Sequence, residues 1–259
     1  MRVAVVGATG LTGRQTVAAL EAAGHETVAI ARSAGVDVVT GAGLDQALTG
    51  VDAVIDVVNT GATEATETER FFGTVTANLL AAEQRAGVGH HVLLSIVGID
   101  RVGGNAHYAG KRRQEELVEA GPVPWTIQRA TQFFDFAAMV VGWTRTDGAA
   151  PIAPLLVQPV AVVDVAEVLA ELAAGPPQGR APDLAGPDPQ DLVDMARRTL
   201  AARHDDTRLV PSWRNGPFGV EMAGEVLLPG DGARLGPTRF ETWLAETAAA
   251  DADTDAHPG

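Results

Sequence analysis

The fold is decided by the stretch Val3-Ala4-Val5-Val6-Gly7-Ala8-Thr9-Gly10-Leu11-Thr12-Gly13. Four consecutive apolar residues, three of them valine, read as a strand buried on both faces, which is the habit of parallel sheets. Glycine then recurs at every third position where strand hands over to helix. That spacing has a geometric meaning: Gly7 permits the tight turn, Gly10 lets backbone approach a pyrophosphate, and Gly13 lets helix and strand pack closely. The exposed amides of the turn and helix start, from Thr9 through Leu11 and Thr12 to Gly13, bind the anion with help from the helix dipole. In isolation such a pattern serves equally well as a packing turn. Its place, directly after the first strand and opening a helix, is the context a dinucleotide site demands.

Working outward, short apolar runs recur at Thr27–Ala31, Val36–Val39, Ala53–Val58, His91–Ser95 and Trp125–Gln128. Helical patterns lie between them over Leu11–Ala23, Leu44–Leu48, Glu64–Ala86 and Lys111–Glu119. Strand and helix in alternation predict an α/β protein with a Rossmann-like, doubly wound parallel sheet and a smaller C-terminal substrate lobe. Prolines from Pro151 onward mark the change, with short helices expected over Val165–Ala173 and Leu192–Leu200. The domains are read as an NAD(P)H-binding core over 1–135, a substrate-binding lobe packed on it over 136–247, and a flexible acidic tail over 248–259.

Composition narrows the function. Of 259 residues, 46% are hydrophobic and 20% charged, the balance of a packed globule. A formal charge of −14 repels a polyphosphate surface, so nucleic acid is not an expected partner. The lack of cysteine excludes disulfides, thiolate metal sites and cysteine nucleophiles. His90 and His91 point to opposite faces of a strand, and no His-Glu-x-x-His spacing exists, so metal catalysis has no support. The run Met1–Val6 is far shorter than the roughly 18 apolar residues of a membrane span and carries no signal-cleavage pattern, so a cytoplasmic protein is expected.

Coenzyme choice is read at the second strand's end, Ala29-Ile30-Ala31-Arg32-Ser33. No carboxylate stands there for a ribose 2′-hydroxyl. Arg32 and Ser33 instead offer donors to a 2′-phosphate, so NADPH is preferred and NADH is the alternative. A solvated surface arginine is the bland alternative. Val57, Val58 and Asn59, ending another strand, are expected along the coenzyme, and Ala130 and Thr131, ending the strand at Trp125, beside its nicotinamide.

Together with Gly50-Val51-Asp52-Ala53-Val54-Ile55-Asp56, Leu94-Ser95-Ile96-Val97-Gly98, Tyr108-Ala109-Gly110-Lys111 and Trp125-Thr126-Ile127-Gln128-Arg129-Ala130-Thr131-Gln132-Phe133, these motifs resemble the atypical short-chain dehydrogenase/reductases of the NmrA-like, NAD(P)H-binding group. The resemblance spans about residues 1–175. It implies a serine after one strand and a Tyr-x-x-x-Lys on the next helix, the tyrosine giving a proton to the reduced carbonyl. Ser95 and Lys111 match, as donor to the carbonyl oxygen and holder of the nicotinamide ribose. The residue four before Lys111 is His107, however, and Tyr108 is only three before it, rotated by about 100° on a regular helix. His107 as the acid, or a substrate that supplies its own proton, are both open readings. The segment around His107 is similar to that of ketoreductases of angucyclinone-type aromatic polyketides, which implies a small-molecule polycyclic aromatic ketone in antibiotic biosynthesis. Phe134, Phe136, Trp143, Trp213, Phe218 and Met222 are the aromatic and apolar side chains available to line such a pocket. A retired enzyme that senses NADP and a general quinone or carbonyl reductase are the rival readings.

Overall fold

The computed structural model describes residues 1–214 and 216–256. In chain order the elements are β1 (Arg2–Val6), α1 (Leu11–Ala22), β2 (Glu26–Ile30), α2 (Leu44–Ala47), β3 (Ala53–Asp56), α3 (Ala65–Ala86), β4 (His90–Ile96), α4 (Ala106–Glu119) and β5 (Trp125–Ala130). They continue with α5 (Phe136–Thr144), β6 (Ala149–Ile152), β7 (Leu156–Val157), α6 (Val162–Ala174), β8 (Gly179–Arg180), β9 (Leu184–Ala185), β10 (Gln190–Asp191), α7 (Leu192–Ala202), β11 (Arg208–Pro211), β12 (Arg234–Leu235) and α8 (Phe240–Ala256).

Two compact units result, Met1–Ala130 with Val162–Asp183, and Thr131–Ala161 with Leu184–Gly259. In the first, β2, β1, β3, β4, β5 and β8 lie side by side, every pair parallel. Adjacent histidines show how the helices are layered. His91 reaches Glu83 of α3 at 2.9 Å, while its neighbour His90 turns to the other face, toward Thr126 at 2.8 Å and the backbone of Gly175 just past α6. Helices α3 and α4 therefore cover one face and α1 and α6 the other, the doubly wound arrangement. On the α3 face Ala4, Val6, Val54, Val75 and Leu79 form one buried cluster.

The division at residue 135 is corrected by this grouping. The chain leaves the first unit after Ala130 and returns at Val162, because α6 carries a nearly continuous buried face, Val165, Ala166, Leu169, Leu172 and Ala173, that packs on α1. The strand expected at Val36–Val39 is also absent. Asp37 Oδ1 accepts from the Val39 amide at 2.8 Å, and the chain turns through Gly41 and Gly43, both at positive φ, so a side chain captures the amides that a ladder would need. Helix α4 starts five residues earlier than expected, with Asn105 capping it by accepting from the Tyr108 amide at 3.0 Å. The tail expected from residue 248 begins inside α8, whose Ala-rich end continues as helix to Ala256, and residues 257–259 lie outside the described residues.

In the second unit β6 pairs with β11, β7 with β10 and β9 with β12. Phe134 and Phe240 are buried there, Phe240 stacked on Trp243 and Phe134 tilted against both. Among the described residues no helix is long and apolar enough to cross a membrane.

Helices α3 and α4 meet at Gly110, where an added β-carbon would stand 2.6 Å from Phe72 Cδ2. Gly110→Ala should lower the unfolding free energy by about 1–3 kcal/mol. Gly73→Ala, on the facing helix, meets only Arg113 Cγ at 3.8 Å and should raise it by about 0.5–1 kcal/mol. Equal effects of the two in urea titrations would contradict this account of the interface.

Candidate functional site

The turn after β1 is built as its glycines require. Gly7 has φ +83°, which a side chain would strain, and a β-carbon on Gly13 would lie 2.1 Å from the Gly7 carbonyl oxygen. Gly10 is the N-cap of α1 and offers no side-chain cap, so the first amides of the helix are left for an external acceptor. Thr9, Gly10 and Leu11 are exposed, and Thr12 is half-buried. The residues present therefore fit a bound pyrophosphate. Arg32 and Ser33 are exposed in a short 3-10 turn just past β2, and Arg32 has no ion pair among the described residues. Val57 and Val58 are half-buried and Asn59 exposed, with the Val57 carbonyl 3.1 Å from where a Gly7 β-carbon would be. Ala130 is buried and its carbonyl accepts from the Val97 amide at 2.9 Å. In the second unit the Thr131 hydroxyl is taken by the Gln158 carbonyl at 2.6 Å.

His107 and Lys111 are brought together against one ring. His107 meets Phe72 edge-on with centroids 5.6 Å apart, and Lys111 Nζ lies 5.1 Å from the same centroid. Burial, with the Lys111 charge adding to it, pushes the His107 imidazole down to about 4. The histidine is thus neutral at physiological pH, not the near-neutral acid that its unperturbed pKa suggests. Tyr108, the next residue on α4, is also buried.

Lys111 is enclosed on the inner side of α4. It is 4% exposed, donates to the Leu94 carbonyl at 2.7 Å and to Gln114 Oε1, and is pushed down to about 8 by burial, which Asp56 and Glu115 partly offset. Arg112 binds the Ile99 and Val102 carbonyls, and only Arg113 faces solvent. Ser95 is placed elsewhere. Its Oγ is buried and turned toward Glu115, two turns beyond His107 on α4. Glu115 is itself buried and accepts from Arg129 at 2.6 and 2.9 Å and from Arg180 at 2.9 Å. Burial works against its ionisation, but Arg129 and then Ser95 hold its carboxyl below the usual range.

Asp56, Gln114 and the His91–Glu83 pair were not singled out from sequence. Burial depresses the His91 imidazole, yet Glu83 overcomes that and raises it. The available signal was helical spacing, since Gln114 follows Lys111 by three residues on an inward face. Of the aromatic residues expected in a pocket, Phe134 and Met222 are core, whereas Phe136 contacts Trp143 and Phe218, and Trp143 is 58% exposed.

A parallel sheet with a glycine-rich strand-to-helix turn and an uncapped helix start defines a nucleotide-binding α/β fold. The sequence profile of a family described as NAD(P)H-binding matches residues 7–176, and the chain belongs to that family. It is 31% identical over 203 residues, 71% of this chain and 67% of the relative, to a (4-alkanoyl-5-oxo-2,5-dihydrofuran-3-yl)methyl phosphate reductase of Streptomyces griseus subsp. griseus. Among solved structures, a short-chain dehydrogenase/reductase superfamily protein from Agrobacterium tumefaciens with bound NAD aligns with TM-score 0.70 at 19% identity, covering 99% of this chain and 98% of that one. The dTDP-4-dehydrorhamnose reductase of Bacillus anthracis with NADP aligns with TM-score 0.70 at 15% identity, covering 93% and 96%. These two likenesses show the fold.

The lowered His107 value has a measurable sign. The folded protein resists a proton that the unfolded chain accepts, so stability falls as pH drops from about 6.5 toward 4. His107→Gln should lose about 2 kcal/mol less than the wild type between pH 7 and 4.5. Parallel stability curves for the two proteins would contradict the burial assigned to the ring.

Proposed function

We propose that the protein is an NADPH-dependent reductase whose acceptor is activated by its own structure, so that no protein acid is needed. The observation that carries this reading is the neutral His107 at the position where the resemblance implies a tyrosine acid, held beside Phe72 and the Lys111 charge. The bound coenzyme supplies hydride. The turn from Gly7 to Gly13 holds its pyrophosphate, Arg32 and Ser33 its 2′-phosphate, Val57, Val58 and Asn59 flank it, and Lys111 holds the nicotinamide ribose. Lys111 has three N–H groups, two of which go to Leu94 and Gln114, leaving one for a ribose hydroxyl. Its charge also favours negative charge developing on the acceptor oxygen.

The substrate favoured by the resemblance around His107 is a ketone of a polycyclic aromatic polyketide, reduced to a secondary alcohol. A phenol beside the carbonyl is already hydrogen-bonded to it and returns the proton. Catalysis then rests mainly on positioning, worth ~7–11 kcal/mol in favourable systems. A second reading is favoured by the Streptomyces griseus relative, named for an alkanoyl-oxo-dihydrofuran phosphate. Conjugated acceptors of that kind take hydride at carbon and pass charge to an oxygen, and solvent can protonate them afterwards. Ser95 is given no part in this reading, because its hydroxyl is turned toward Glu115. The belonging to an NAD(P)H-binding family with a reductase relative favours turnover over a sensor.

The test is NADPH oxidation with phenol-flanked polycyclic ketones, acyl-dihydrofuranones and plain cyclic ketones, with each product identified. Turnover of one of the first two classes, little changed in His107→Phe, is expected. Equal turnover of plain ketones, abolished by His107→Phe with coenzyme binding intact, would make His107 the acid and overturn the proposal. Separately, Arg32→Asp should weaken NADPH binding about 10- to 100-fold and leave NADH nearly unchanged. Equal effects on both coenzymes would remove the 2′-phosphate from Arg32.

A further inference from the structure

A buried chain of polar groups runs from Lys111 to the loop after β3. Lys111 Nζ donates to Gln114 Oε1, and Gln114 Nε2 donates to Asp56 Oδ2 at 2.8 Å. Asp56 Oδ1 accepts from the Val58 amide at 2.9 Å. Asp56 and Gln114 are fully buried and Lys111 nearly so. An ammonium on a flexible four-carbon stem, buried next to a carboxylate, would ordinarily collapse onto it as a direct pair. Here the amide stands between them, giving an acceptor to the cation and a donor to the anion, and both neighbours dictate its orientation.

We infer that Gln114 is a positioning residue, its amide holding the Lys111 ammonium off Asp56 and tying it to the loop of Val57 and Val58. The device rests on the assignment of Lys111 to the coenzyme ribose. Its logic is mechanical and electrostatic together. A direct pair with Asp56 would draw the ammonium away from the Leu94 carbonyl and use up the N–H left for a ribose hydroxyl. With the amide in place, one turn of α4 sets the positions of both the lysine and the backbone that lines the coenzyme. The groups facing Lys111 are Asp56 from β3, His107 and Glu115 from α4, His91 from β4 with Glu83 of α3 behind it, and the Phe72 ring of α3.

Two substitutions separate this role from simple packing. Gln114→Met keeps the volume and removes the amide, so that the ammonium pairs directly with Asp56, which favours the charged form. Gln114→Glu keeps the shape, and its carboxyl, set against Asp56 Oδ2 where the amide donates at 2.8 Å, shares one proton with Asp56 and still bridges it to the ammonium. The ammonium of Lys111 is followed by ¹⁵N NMR in the coenzyme-free protein from pH 6 to 10, and NADPH affinity by fluorescence titration over the same range. The wild type should titrate near 8 and lose NADPH affinity above it. Gln114→Met should move the ammonium limb up by about one pH unit, and Gln114→Glu should leave it within a few tenths of a unit. NADPH affinity at pH 7 should fall about tenfold in Gln114→Met although its lysine is charged, and stay near the wild type in Gln114→Glu. An ammonium limb that stays or moves down in Gln114→Met, or an NADPH affinity that it leaves unchanged, overturns the inference. Should Gln114→Met not fold, Gln114→Asn, whose shorter amide does not span the two groups, takes its place with the same expected outcome. A wild type that binds no NADPH refutes the coenzyme assignment instead, and the NMR titration still decides whether Gln114 governs Lys111.

Discussion

The Gly7 carbonyl oxygen lies 2.1 Å from where a β-carbon of residue 13 would stand, and the rest of the site depends on that approach. Only a glycine at 13 lets α1 come so close to β1. The closeness sets the uncapped start of α1 directly above the end of the strand, where its amides can meet an anion. A β-carbon at Gly7 would also stand 3.1 Å from the Val57 carbonyl oxygen, so the same glycine lets the turn lie close to the loop after β3. A steric fact between two glycines therefore becomes a statement about which ligand the first unit is shaped to hold.

Beside that turn, the chain buries charge in an ordered way. Lys111, Gln114 and Asp56 form one line, Glu115 with Arg129 and Arg180 a second, and His91 with Glu83 a third, all on or against α3, α4 and the strands they cover. Buried ions persist only when each is paired or hydrogen-bonded, and every one of these is. The exception in kind is His107, which meets the burial by staying neutral. On the proposed function, that difference shifts the proton source from the protein to the acceptor and leaves Lys111 as the charged group beside the coenzyme. Ser95, matched by position to a catalytic serine, shows the opposite outcome. Its hydroxyl is enclosed, and its nearest charge belongs to the structural cluster on Glu115.

The elements with strong, local signals were legible in sequence: β1 and its glycines, the long α3, and the strands β4 and β5, each with an uninterrupted apolar pattern and a clear stop. Val36–Val39 has the same composition as a strand, and what undoes it is one side chain, Asp37, bonding the amides ahead of it. The return of Val162–Ala174 to the first unit was not legible, because its partner α1 lies some 150 residues earlier in the chain. The surroundings of Lys111 were not legible for a related reason. At helical spacing its neighbours are His107, Gln114 and Glu115, which meet Phe72 of α3, Asp56 of β3 and Arg129 of β5 respectively. The turn that holds the coenzyme was therefore visible from residue order alone, whereas the polar line behind Lys111 required the packing of α4.

The central claim is that the turn from Gly7 to Gly13 holds a reduced nicotinamide coenzyme, and isothermal titration calorimetry on the purified protein addresses it most directly. The account predicts one coenzyme bound per chain, with NADPH tighter than NADH. An absence of binding heat for both coenzymes at several temperatures would contradict it.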